Sequence, residues 1–106
     1  EIDTGISGHI ASVVGEKMDD IARYHQVICV THLAQIASMA DCQYLVQKKV
    51  ADERTVTTVR ELTPEQRVEE IARLVGADDQ HHESGLLHAR NMLAAAWERK
   101  HGVQEQ

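Results

Sequence analysis

Aromatic side chains are nearly absent from this sequence. Of 106 residues only Trp97, Tyr24 and Tyr44 are aromatic, and there is no Phe. A core built on large ring-packing residues is therefore excluded, and Val, Ile, Leu, Ala and Met must supply the apolar contacts. Proline occurs once, at Pro64, so chain breaks fall to glycine and polar turns. No run of eighteen apolar residues exists, which leaves no candidate helical membrane span. No signal peptide is visible. The two cysteines, Cys29 and Cys42, lack metal-ligand spacing and read as buried thiols in a reducing compartment. A positive excess is also missing. Eleven basic and seventeen acidic side chains give a formal charge of -6, which argues against non-specific wrapping of nucleic acid by this segment alone. It leaves room for a local basic patch.

What is present is 42% hydrophobic and 26% charged, the balance of one folded domain. The first eight residues read as a polar turn. A helix is expected from Ser7 or Gly8 to Tyr24, with Ile10, Val13, Val14, Met18, Ile21 and Ala22 as its inward stripe and Lys17, Asp19 and Asp20 on the other face. Residues 26–31, Gln-Val-Ile-Cys-Val-Thr, are β-branched and nearly continuous in apolar character, the pattern of a central parallel strand. A short helix follows from Leu33 to Met39. Residues 44–48 and 54–61 read as antiparallel strands joined by a turn at Ala51-Asp52-Glu53. Thr63, Pro64 and Gln66 form a helix start with a capping box, and Gly76 is its stop. A last helix spans about Glu83 to Lys100, with Leu86, Leu87, Ala89, Met92, Leu93, Ala96 and Trp97 inward and Gly102 as terminator. The order predicts a layered α/β unit. A parallel strand needs a parallel neighbour, and the chain opens on a turn without Met, so the reading is of a piece of a longer protein.

Three residues stand out for chemistry. Glu1 and Asp3 open a Gly-containing loop, and His32 ends the expected parallel strand. In open α/β sheets ligands bind at the carboxyl ends of strands. Two carboxylates and an imidazole on one sheet edge suit activation of water against a phosphoryl group, the carboxylate orienting the water and the imidazole meeting developing phosphate charge. The competing reading makes Glu1 and Asp3 solvated loop residues and His32 a cap on a backbone carbonyl. His81, His82 and His88, with Asp78, Asp79 and Glu83, form the one metal-like grouping, for which a solvated loop is the stronger reading. Lys48, Lys49, Arg54 and Arg60 make the hairpin mildly basic, but Arg54 and Arg60 each adjoin an acid.

Glu1-Ile2-Asp3-Thr4-Gly5-Ile6-Ser7-Gly8 resembles the end of a Walker B motif running into the D-loop of ABC-type ATPases. Residues 30–33, Val-Thr-His-Leu, resemble the switch or H-loop. Residues 31–41 and the 67–74 helix are most similar to the RecN family of SMC-like DNA repair ATPases. The octet and the Thr-His-Leu turn together are far more specific than either alone. The resemblance covers nearly the whole of residues 1–106 and softens beyond Val75.

The resemblance implies the C-terminal part of a P-loop NTPase head of ABC/SMC type, with parallel core strands, a β-hairpin and C-terminal helices. Glu1 would polarise the attacking water, Asp3 would meet the partner subunit across a head-to-head homodimer, and His32 would contact the γ-phosphate. It further implies ATP and Mg²⁺ as cofactors of the intact protein, DNA (break ends or single strands) as its partner, and a cytoplasmic, nucleoid-associated, bacterial setting without a membrane. Walker A, signature motif and coiled-coil arms are absent from these 106 residues. The expectation is therefore an inactive piece of an ATP hydrolase acting in double-strand break repair and recombination. The alternatives are the head of another ABC-type ATPase and a non-catalytic α/β module that binds a partner.

Overall fold

The computed structural model describes residues 7–102. Helix α1 (Gly8–Ala22) begins where Ser7 leaves extended backbone and its Oγ accepts a hydrogen bond from the Ile10 N–H at 3.3 Å. The face it buries is only partly the expected one: of the expected stripe Val14, Met18 and Ala22 are half-buried. Ala11, Gly15 and Asp19 are buried, whereas Ile10, Val13 and Ile21 are 41–51% exposed. The reason is close packing against the single-turn helix α2 (Ala34–Ala37). A Cβ placed on Gly15 would lie 3.0 Å from the Gln35 carbonyl oxygen and 3.1 Å from Met39 Cγ. Only a seam of small residues admits that approach, so Ile10, Val13 and Ile21 are turned away.

Residues 26–33 belong to no helix or strand and join no ladder. Val27, Ile28 and Val30 are 38%, 86% and 69% exposed. The expected parallel-core P-loop architecture is thereby overturned. Among the described residues the sheet has two strands, both antiparallel, and no parallel pair. β-branched composition records fitness for a pleated surface, and a strand forms only where a second backbone takes its N–H and C=O groups. No described strand lies beside this run.

The sheet is the hairpin β1 (Tyr44–Ala51) and β2 (Arg54–Glu61), running from the Tyr44–Glu61 pair to the Ala51–Arg54 pair. Its two-residue loop holds Asp52 at φ 50° and Glu53 at φ 63°, the left-handed pair of a type I′ turn. Nearly every hairpin residue is exposed; Leu45 alone is half-buried.

Helix α3 (Pro64–Leu74) carries the expected capping box. Thr63 Oγ1 accepts from the Gln66 N–H at 3.2 Å, and Gln66 Oε1 accepts from the Thr63 N–H at 3.0 Å. Its end is a complete Schellman motif. Gly76 sits at φ +86°, its N–H reaches the Arg73 carbonyl, and the Ala77 N–H reaches the Ala72 carbonyl. A 3₁₀ turn (Asp79–His81) then leads into helix α4 (His82–His101). The core is small and alanine-rich: Ala34, Ala37, Ile71, Ala72 and Ala89, flanked by Val68, Leu86, Met92 and Leu93. Ile71 is its one large fully buried side chain, stabilising by about 2 kcal/mol. Leu87 and Trp97, expected inward, are 58% and 64% exposed, and Trp97 stacks on His101 with ring centres 3.9 Å apart.

Candidate functional site

His32 is an exposed residue at the end of the 26–33 run, one position before the N-cap of α2. The turn around it is fixed locally. Thr31 Oγ1 accepts a hydrogen bond from the Leu33 N–H at 3.0 Å, which bends the chain into the helix. Gln35, three residues later, faces the start of α1, where a Cβ on Gly8 would lie 3.1 Å from its Nε2. The packing of α1 on α2 thus brings the Gln35 side chain, from the helix that follows His32, against Gly8 at the end of the opening octet. Glu1 and Asp3, the two expected carboxylates, lie outside the described residues.

A second polar assembly carries no sequence motif. Asp19, expected on the outer face of its helix, is 7% exposed and lies between two cations of α4. Arg99 Nη1 donates to Asp19 Oδ2 at 2.7 Å, and Lys100 Nζ donates to Asp19 Oδ1 at 2.6 Å and to Asp41 Oδ1 at 2.8 Å. Arg99 also reaches Asp20 at 3.3 Å. Burial pushes the Asp19 carboxyl up, but the Lys100 hydrogen bond and the charges of Lys100 and Arg99 outweigh it, so its pKa falls below the ordinary value. Burial likewise pulls Lys100 down, and its bonds to Asp19 and Asp41 more than reverse this. A carboxylate held this way is a poor base. Its role is to tie α1, α4 and the loop after α2 together, around a polar cavity of about 160 Å³ lined by Asp19, Ala22, Arg23, Asp41 and Lys100. The signal that could have flagged it is the Ala11-Gly15-Asp19 spacing of four, a small-residue seam ending in an acid.

Arg67 makes a related tie. Its Nε donates to Gln43 Oε1 at 3.0 Å and its Nη2 to the Ala37 carbonyl at 3.2 Å, linking α3 to the end of α2 and to the root of the hairpin. Burial lowers its pKa, against the opposing pull of Cys42 and Asp41. The histidine grouping resolves into local capping. Asp78 Oδ1 accepts from the His81 N–H at 2.9 Å and lies 2.8 Å from its Nδ1, and the His81 hydrogen bonds hold the carboxyl below its usual range. Among the described residues no group of three or more His, Cys, Asp or Glu is arranged to hold a metal ion. Cys29 and Cys42, expected to be buried, are exposed.

Fold and site together define a helical body that bears an exposed hairpin and an exposed imidazole at the turn leading into α2. Among the described residues no helix is long and apolar enough to cross a membrane. No family model matches the chain. Relatives do. The sequence is 48% identical over 94 residues to the DNA repair protein RecN of Deinococcus radiodurans, covering 89% of this chain and 16% of that protein. It is 39% identical over 102 residues to RecN of Treponema pallidum, covering 96% and 18%. It is 45% identical over 97 residues to RecN of Mycobacterium tuberculosis, covering 91% and 16%. The chain belongs to the RecN family, and it spans less than a fifth of the length of these relatives.

Proposed function

We propose that the chain is the C-terminal portion of the ATPase head of a RecN-type DNA repair protein, a cytoplasmic ATP hydrolase acting on DNA as a head-to-head dimer. What supports this reading is the identity to RecN proteins across most of the chain, together with the approach of Gly8 to the side chain of Gln35, which lies in the short helix that follows His32. Relatives named for DNA repair support the biological setting.

In this reading Glu1 orients and polarises the attacking water, His32 donates a hydrogen bond to a terminal phosphate oxygen, and Asp3 meets the partner subunit. His32 fits that task because it is exposed and its turn is held from both sides, by the Thr31 hydroxyl and by α2. ATP with Mg²⁺ supplies the phosphoryl group and its charge neutralisation.

The test is Glu1→Gln in the full-length protein. ATP binding should persist while steady-state turnover falls about 10²–10⁴-fold, the usual contribution of a positioned base. His32→Ala should also lower turnover. Unchanged turnover in Glu1→Gln overturns the assignment.

A further inference from the structure

The hairpin separates charge in a way that residue order hides. It carries four of the chain's eleven cations (Lys48, Lys49, Arg54 and Arg60) and three of its seventeen acids (Asp52, Glu53 and Glu61). The other seven cations and fourteen acids leave the rest of the chain strongly negative. Arg54 and Arg60 each follow or precede an acid in sequence, which at first sight cancels them. The pleat undoes the cancellation. Alternate residues face opposite ways, and the Lys49–Val56, Ala51–Arg54 and Leu45–Arg60 pairs put Lys49, Arg54 and Arg60 on one face. Glu61 pairs with Tyr44 on the other face, and Asp52 and Glu53 occupy the turn. That face therefore holds three positive side chains, Gln47 and Thr58, the apolar Leu45, Ala51 and Val56, and no carboxylate.

Those three cations are exposed and make no ion pair among the described residues, unlike Arg73, Arg99 and Lys100. Their spacing is regular. Lys49 lies level with Val56, two residues from Arg54 and four from Arg60. At about 3.3 Å per residue these offsets are roughly 7 and 13 Å. A two-stranded ribbon is of a width that the major groove admits.

We infer that the Lys49, Arg54 and Arg60 face of the hairpin is a docking strip for the phosphate backbone of duplex DNA. The ligand class rests on the proposed function; the site is new to it. The acidic body repels the same polyanion, so the ribbon is the part of this segment that approaches it.

The test uses the full-length protein and a random-sequence duplex, with affinity measured across a salt series. In Lys49→Ala/Arg54→Ala/Arg60→Ala the slope of log K against log salt should become shallower by about 2 to 3, near 0.9 for each phosphate no longer neutralised. Lys49→Arg/Arg54→Lys/Arg60→Lys should keep the parent slope, and so should Lys48→Ala on the opposite face. ATP turnover without DNA should be unchanged in all three, which separates this site from the hydrolytic one. An unchanged slope in the triple alanine variant overturns the inference. So does an equal loss in Lys48→Ala, or competition by polyglutamate as effective as competition by unlabelled duplex.

Discussion

The tie around Asp19 allows a worked prediction. Asp19→Asn keeps the shape of the side chain and removes its charge. Breaking an isolated buried ion pair costs about 3–5 kcal/mol, because the abandoned partner stays buried and unpaired. Here the partners keep something. Lys100 retains Asp41 at 2.8 Å, and Arg99 retains Asp20 at 3.3 Å and Glu16 at 4.0 Å. The expected loss is therefore below that range, about 2–3 kcal/mol. Asp20→Asn is the control. Its side chain is 47% exposed and meets Arg99 only, so its loss should stay below about 1 kcal/mol. The assay is urea unfolding followed by far-UV circular dichroism, repeated across pH. Asp19 has a folded pKa below its unfolded one. Its contribution is complete above the unfolded value, near 4, and disappears as pH falls through the lower folded value. The gap between parent and Asp19→Asn should hold through neutral pH and close in acid. Lys100 has its pKa raised, so its contribution is complete below its unfolded value and fades as pH climbs through the higher folded one. Equal losses for Asp19→Asn and Asp20→Asn at pH 7, or a gap that persists in strong acid, would refute the reasoning.

Two further outcomes follow from backbone geometry. Gly15→Ala places a methyl 3.0 Å from the Gln35 carbonyl, a backbone atom that cannot swing aside, and should cost about 1–3 kcal/mol, seen as a lower thermal midpoint. Replacing Asp52-Glu53 by Asn-Gly relieves two left-handed residues in the type I′ turn and should stabilise the hairpin by about 1 kcal/mol, read as slower amide exchange across β1 and β2.

Local signals in the sequence translate well where the cause is itself local. The Thr63–Gln66 box and the Gly76 stop depend on residues within one helical turn, and both form as expected. The hairpin forms where strand propensity places it, but its first strand runs on to Ala51, which pairs with Arg54, so the loop is Asp52-Glu53 and not the expected Ala51-Asp52-Glu53. Signals that depend on a distant partner do not translate. The buried face of α1 departs in part from its apolar pattern because packing on α2 selects for smallness at Ala11 and Gly15, not for bulk. Asp19 reads as a solvated residue because its cations lie about eighty residues away in α4. Residues 26–31 have strand composition, yet composition supplies no neighbouring backbone. Of the candidate site, the sequence places His32 at the end of a strand that does not form, and the packing of Gln35 against Gly8 leaves no trace in the motif. Gln35 carries no chemical signature that would flag it.

The near-complete exposure of the hairpin has a consequence for how this segment can change over time. Its strands are rooted through the Leu62 N–H bond to the Gln43 carbonyl and through Arg67 at Gln43, and almost nothing along their length is packed. Ribbon length is thus decoupled from the stability of the helical body. It is not free of arithmetic, however. One extra residue in each strand preserves pairing but inverts the faces of everything toward the tip. Growth or shortening that keeps Lys49, Arg54 and Arg60 on one face has to proceed four residues at a time, two on each strand.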